Sequence, residues 1–226
     1  MKIQRPKIRQ GYDLWAETYD ETPNPVVSLD ERVTPQFVHL KQSERVLDAG
    51  CGTGRLFSAL RKARCKFMGL DFSLGMLEVA HRNYSDVPVV LADLQRQWPF
   101  RDRTFDAIVC ALVGEHLGQL PLVTAEMFRI LHSNGRVIFS VYHPEMAAAG
   151  IEANFRLNDI EYRLGALQYS SGDYIEAFQE AGFASVTLRE FRGDEELAER
   201  IPEGKKYLGF PLLLVLQASK TASSLV

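Results

Sequence analysis

Arg45-Val46-Leu47-Asp48-Ala49-Gly50-Cys51-Gly52-Thr53-Gly54 constrains the fold of this chain more than any other stretch. An apolar run ends in an acid and passes into three glycines at alternate positions. Arg55-Leu56-Phe57-Ser58-Ala59-Leu60 then takes up a helical pattern. This is a strand that stops at a sheet edge, a turn without Cβ atoms, and a helix whose unpaired N–H groups face the turn. A ligand can lie against bare backbone there. Its nature depends on the glycine spacing and on acids further along.

From this turn onward strand and helix patterns alternate. Strands are predicted at 45–49, 66–70, 87–92, 105–111, 136–142, 184–188 and 207–217. The first five are nearly continuous apolar runs, as in a parallel sheet covered on both faces. Helices are predicted between them, with Met76, Leu77, Ala80 and Tyr84 on one and Leu120, Val123, Met127 and Ile130 on another. The expected architecture is α/β: a doubly wound, mostly parallel seven-stranded sheet with its ligand crevice beyond the carboxyl ends of the strands. Pro211 must stand near the start of the last strand, at an edge or at a bulge.

Residues 1–226 read as one domain. Its parts are an N-terminal helical cap (1–43), a cofactor-binding half (44–142), a lid-like insertion before the sixth strand (143–170), and a last helix with the closing strands (171–226). In the cap, Tyr12, Trp15, Ala16 and Tyr19 fall on one helix face, and a second helix runs to about Leu40. The insertion shows no period, and a structureless run of that length more often binds or covers than spaces.

Composition narrows the partners. Net charge −3 gives no electrostatic reason for a nucleic-acid partner. Cys51, Cys65 and Cys110 are odd in number, and no Cys/His cluster has metal-ligand spacing. Lacking a signal core or a membrane-length apolar run, the chain is expected in the cytoplasm, as a monomer or homodimer without membrane contact.

The acids define the ligand. Asp48, Asp71 and Asp93 close the first three strands, so all three point toward one crevice. Asp71 lies 21 positions after Gly50, near the spacing at which an acid accepts both hydroxyls of a ribose. An adenosine-type ligand follows. The dinucleotide fingerprint would need a third glycine where Arg55 stands; here it comes one residue early, at Gly54. No Lys-Ser or Lys-Thr follows the turn, so a P-loop is excluded.

On these residues the chain resembles the class I S-adenosylmethionine-dependent methyltransferases, closest to the small-molecule branch that includes the ubiquinone/menaquinone-biosynthesis type. The likeness spans about residues 10–142 by motif and the rest by element order. Leu47 to Gly54 matches the family's first motif. Gly69-Leu70-Asp71-Phe72-Ser73 with Met76-Leu77 matches the second, and Ala92-Asp93-Leu94 is similar to the third. Tyr12 to Ala16 and Tyr19-Asp20 are similar to its N-terminal helix. The resemblance implies S-adenosylmethionine as cofactor, S-adenosylhomocysteine as product, and a Rossmann-like methyltransferase fold.

It also implies roles. Gly50, Cys51, Gly52 and Gly54 would receive the methionine part against the backbone, and Asp48 would fix that loop and help receive the ammonium. Asp71 would accept the ribose hydroxyls. Phe72 and Met76 either pack the core or contact adenine, while Asp93 and the Leu94 N–H would bond its edge. Ala111 and Leu112 would line the methionine chain. Tyr19 would cover it with Tyr12 or Trp15.

Methyl transfer from a sulfonium is an in-line displacement, and a base is needed only where the acceptor must lose a proton. His116 and His143 each follow a strand whose end faces the crevice and are the candidate bases, with Glu115 beside the former; the alternative is that they merely line the rim. Arg156 and Arg163 in the insertion would suit an anionic acceptor or a solvated loop. The predicted function is methyl transfer to an O, N or C atom of a small molecule. A regulatory partner that binds the cofactor without turnover, and an NAD-dependent oxidoreductase, are the alternatives.

Overall fold

In the computed structural model, which describes residues 2–201 and 204–221, the chain begins with β1 (Lys2–Gln4), α1 (Ile8–Trp15) and α2 (Pro25–Val33). The alternating half follows as β2 (Arg45–Ala49), α3 (Phe57–Lys62), β3 (Lys66–Asp71), α4 (Leu74–Asn83), β4 (Val89–Leu91), β5 (Phe105–Ala111), α5 (Leu120–Ile130) and β6 (Leu131–Tyr142). The chain ends with α6 (Pro144–Ala148), β7 (Asn154–Leu157), β8 (Ile160–Arg163), α7 (Ser171–Glu180), β9 (Ser185–Arg192), α8 (Glu195–Arg200) and β10 (Pro211–Ser219).

Seven strands form one sheet in the order β4-β3-β2-β5-β6-β10-β9. Neighbours are parallel from β4 to β6, and β10 runs antiparallel to both β6 and β9. Strand order reverses at β2, between β3 and β5, which places the crevice beyond the carboxyl end of β2. Alternate residues of the central strands feed opposite layers. Leu47, Ile108 and Cys110 pack with Leu120, Met127 and Phe178 from α5 and α7, while Val46, Ala107 and Val109 pack with Phe57 and Leu60 from α3. This is the expected α/β doubly wound, Rossmann-like fold.

Pro211 heads β10 at a register shift, between two strands, so start and bulge hold but edge does not. Several boundaries move. The second N-terminal helix ends at Val33 in a 3-10 turn, Thr34–Gln36, well short of Leu40, because Pro35 supplies no N–H. The third strand keeps only Val89–Leu91, and the connection before β10 contains α8.

The largest difference lies at 143–170. Instead of an irregular loop, it holds α6 and the β7–β8 hairpin, whose turn residues Asn158 and Asp159 both have positive φ, as a tight hairpin turn requires. β1 pairs in parallel with β8, making a three-stranded sheet of order β1-β8-β7. Lys2-Ile3-Gln4 has no strand pattern of its own; it is a strand because the hairpin offers an edge.

Candidate active site

A cavity opens beyond β2, β3 and β5, with about 840 Å³ of empty space, open solvent included. Tyr12, Tyr19, Asp48, Gly50, Cys51, Gly52, Asp71, Phe72, Met76, Asp93, Leu94, Ala111, Leu112 and His116 all line it. The polar residues among them are held by the local backbone. Asp71 accepts from the N–H of Gly52 and of Ser73, each at 2.9 Å, and so ties the glycine turn to the end of β3. Burial nevertheless pushes its carboxyl up to about 6, against the pull of these N–H groups. Asp48 is 1% exposed with Oδ2 unpartnered, and burial raises it to about 7. The Asp93 carboxylate accepts from the Gln95 N–H at 3.0 Å and has Arg9 at 3.7 Å.

The turn itself is left-handed at Gly50 (φ 80°) and Gly52 (φ 53°). A Cβ on Gly50 would stand 2.5 Å from Val113 Cγ2, whereas one on Gly52 would meet nothing within 4 Å. Gly50 is therefore small for packing, and Gly52 leaves bare backbone facing open space. Gly54 lies apart: it borders a neighbouring polar hollow with Asp20, Asn24 and Asn83. Its Cβ would press on Phe57, which gives it a packing role.

Helix α1 closes the cavity. Asp13 Oδ1 accepts from Ser73 Oγ at 2.6 Å and from the Gly75 N–H at 3.1 Å, pinning α1 to the start of α4. Tyr12 joins His116 through its hydroxyl and Nε2 at 2.9 Å. Trp15, 2% exposed and stacked on Phe155 with ring centres 4.8 Å apart, belongs to the core. Met76, also 2% exposed, packs with Ala16 and Val79 while lining the cavity. Sequence reasoning missed Arg55, which borders the cavity and pairs at 2.6 Å with the fully buried Asp30 of α2. The available signal was Asp30 itself, an acid set among Val26, Leu29 and Val33 on the buried face of that helix.

A second cavity, with about 2050 Å³ of empty space, open solvent included, adjoins the first and shares Tyr12, Tyr19 and Leu112 with it. Its other walls come from residues 21–27, from Glu115 and Tyr142, from the insertion (Met146, Ile151, Phe155, Arg156), and from Lys206 and Tyr207. Glu115, 8% exposed, has no partner for Oε2, and burial raises its carboxyl to about 7. The Tyr142 hydroxyl is likewise buried without a partner.

The two candidate histidine bases fare differently. Burial pushes His116 down to about 4, so its ring is neutral at physiological pH and a weak proton acceptor. His143 is not brought to either cavity, which corrects its expected position. Its Nδ1 accepts from the Glu145 N–H at the start of α6, and its Nε2 meets Glu190 at 3.0 Å. Both nitrogens are engaged in holding the α6 start against β9. Arg163 also lies outside both cavities, paired with Glu161. Among the described residues no group of three His, Cys, Asp or Glu side chains is placed to hold a metal, and no helix is long and apolar enough to cross a membrane.

Comparison with known proteins is consistent with this geometry. Residues 47–139 match a family model described as a methyltransferase domain. A demethylmenaquinone methyltransferase of Streptomyces avermitilis is 27% identical, over 88% of this chain and 85% of its own. One from Renibacterium salmoninarum is 30% identical, over 73% and 69%. Among solved structures, the cyclase SpnF superposes with a TM-score of 0.73 at 18% identity, covering 99% of this chain and all of that one. That likeness concerns the fold alone.

Proposed function

The chain belongs to the class I S-adenosylmethionine-dependent methyltransferases of small-molecule type, and we propose that its two adjoining cavities divide the reaction, the first for the cofactor and the second for the acceptor. The observation that carries this division is the shared wall of Tyr12, Tyr19 and Leu112, with unsatisfied carboxyl oxygens on either side at Asp48 and Glu115.

The residues of the first cavity fit the cofactor. The orphaned Oδ2 of Asp48 is the acceptor that an ammonium group satisfies, and the open backbone at Gly52 leaves room for an aminoacyl chain. Asp71 still has lone pairs for ribose hydroxyls after its two backbone bonds. Asp93 and the Leu94 N–H stand where the adenine edge would be read, with Phe72 and Met76 alongside. When bound, S-adenosylmethionine supplies an electrophilic methyl group. The protein's share is to align the acceptor with that methyl and to keep water out, which can provide much of the acceleration of a displacement.

In the second cavity Val26, Val27, Met146, Ile151 and Phe155 give apolar walls. These suit an apolar or aromatic small molecule, in keeping with relatives that act on demethylmenaquinone. Calorimetry tests the reading: S-adenosylmethionine and S-adenosylhomocysteine should bind and NAD should not. The reverse preference would contradict it.

A further inference from the structure

We propose that Glu115 is a catalytic residue of the acceptor cavity, taking the proton from an acceptor hydroxyl while Tyr142 bonds the same oxygen, so that the acceptor is a phenol or enol. This rests on the assignment of the second cavity to the acceptor.

The starting observation is a pair of unsatisfied groups. Glu115 Oε2 and the Tyr142 hydroxyl both lie in the wall of that cavity, closed from bulk water and without a partner. Each such group has given up its bonds to water without gaining one in the protein, so a structural role alone accounts poorly for the pair. The groups whose charges interact with that of Glu115 are Tyr12 from α1, Tyr19 after it, Tyr142 at the end of β6, Tyr174 from α7, Cys110 from β5 and Asp30 from α2. Arg156 and Lys206 line the same cavity, but among the described residues the Glu115 carboxyl makes no ion pair, which separates it from Asp30 with its Arg55.

Hydrogen-bond chemistry selects the ligand. One hydroxyl donates to Glu115 through its proton and accepts from Tyr142 through its lone pair, satisfying both groups at once. An ammonium has no lone pair and leaves the Tyr142 proton unpaired. A carboxylate satisfies Tyr142 but meets Glu115 as a like charge. A phenol or enol, near 10, gives up its proton to a carboxylate far more readily than an alkanol does, so proton transfer to Glu115 is better matched for phenols and enols.

The step balances. The acceptor O–H proton passes to the Glu115 carboxylate. An electron pair of that oxygen forms the new bond to the methyl group. The S–CH3 bond breaks with its pair retained by sulfur, giving S-adenosylhomocysteine, and Glu115 returns its proton to water after product leaves.

Two measurements test this. Carbon-13 NMR of protein labelled at glutamate carboxyls should show one resonance titrating near neutrality and missing in Glu115→Gln. Methyl transfer from labelled S-adenosylmethionine should be followed over a panel of para-substituted phenols and a hydroquinone, with benzylamines and benzoates as alternatives. The phenols should be methylated, with kcat rising with pH and levelling above about 7. Glu115→Gln should lower kcat on the order of 100-fold and flatten that limb, Glu115→Asp should restore part of both, and S-adenosylhomocysteine affinity should stay within about twofold. Titration of every glutamate in the ordinary range, methylation of amines or benzoates alone, or an unchanged pH limb in Glu115→Gln would overturn the proposal. So would an inert panel while S-adenosylhomocysteine binds the wild-type protein. Failure of wild-type protein to bind S-adenosylhomocysteine would instead contradict the cofactor assignment on which the proposal stands.

Discussion

The two cavities share a wall but are built in opposite ways. The first is made almost entirely of residues 48–117, each placed by the end of a parallel strand or the turn that follows, with α1 laid across as a cover. The second draws on residues 12–27, the segment after β5, the end of β6 with the insertion that follows it, and residues near 206, which are far apart in sequence. In the first, Asp71 is bonded into the backbone. In the second, Glu115 Oε2 and the Tyr142 hydroxyl have no hydrogen-bond partner. The contrast separates a site fixed by local chain geometry from one that exists only after distant segments pack.

Changes to the second cavity's frame should test that separation most severely. Phe155 is 3% exposed and stacked between Trp15 and Tyr162 at 4.8 and 4.9 Å. Phe155→Ala should cost about 3–5 kcal/mol in thermal or denaturant unfolding. If packing of the hairpin and α1 frames only the acceptor side, residual cofactor affinity measured on the folded fraction should change far less. An equal collapse of both would erase the distinction.

Next in size, Asp71→Ala should weaken S-adenosylhomocysteine binding by about 1–3 kcal/mol, roughly 5- to 150-fold, by removing ribose acceptors and loosening the glycine turn. Calorimetry at fixed pH reads this. Affinity within twofold of wild type would show that the turn holds the cofactor without its acid.

The third effect is pH dependence. Asp48 and Asp71 are raised by burial to about 7 and about 6 from an ordinary 3.8. Between about pH 4 and 7 the folded free protein therefore holds protons that the unfolded chain has shed, and its stability falls as pH rises through that window. A ligand bringing an ammonium and hydroxyl donors prefers the ionised acids. Its affinity should rise from pH 5 toward 7 and then level, by up to about tenfold per unit for each proton expelled. Flat affinity across this range would mean that neither acid meets the ligand.

The smallest effect is expected at His143. His143→Ala removes the cap of α6 and the contact to Glu190, so stability should drop by about 0.5–2 kcal/mol while kcat and cofactor affinity stay near wild type. A large loss of kcat would restore it to the site.

What was legible follows the same line. The glycine turn, the acids at 48, 71 and 93 and the strand order could be read because each depends on a few consecutive residues. Gly54 was read with its neighbours, yet it lies apart from the cavity and its missing Cβ leaves room for Phe57. His143 was misplaced by one residue of pleat. In β6 the preceding Tyr142 faces the second cavity, so the next side chain turns to the opposite side and meets β9. The hairpin at 154–163 was overlooked although Asn158-Asp159 between apolar residues was a turn signal, because each of its strands is only four residues long. Strand β1 had no signal to find, since its pairing partner is 158 positions away at Ile160.

The most direct test of the account is a crystal structure with S-adenosylhomocysteine bound. It should place the ribose hydroxyls on Asp71, the ammonium beside Asp48 and the adenine edge at Asp93 and Leu94, with the sulfur directed toward the wall of Tyr12, Tyr19 and Leu112. Ligand found in the second cavity, or ribose away from Asp71, would contradict the division of the two cavities.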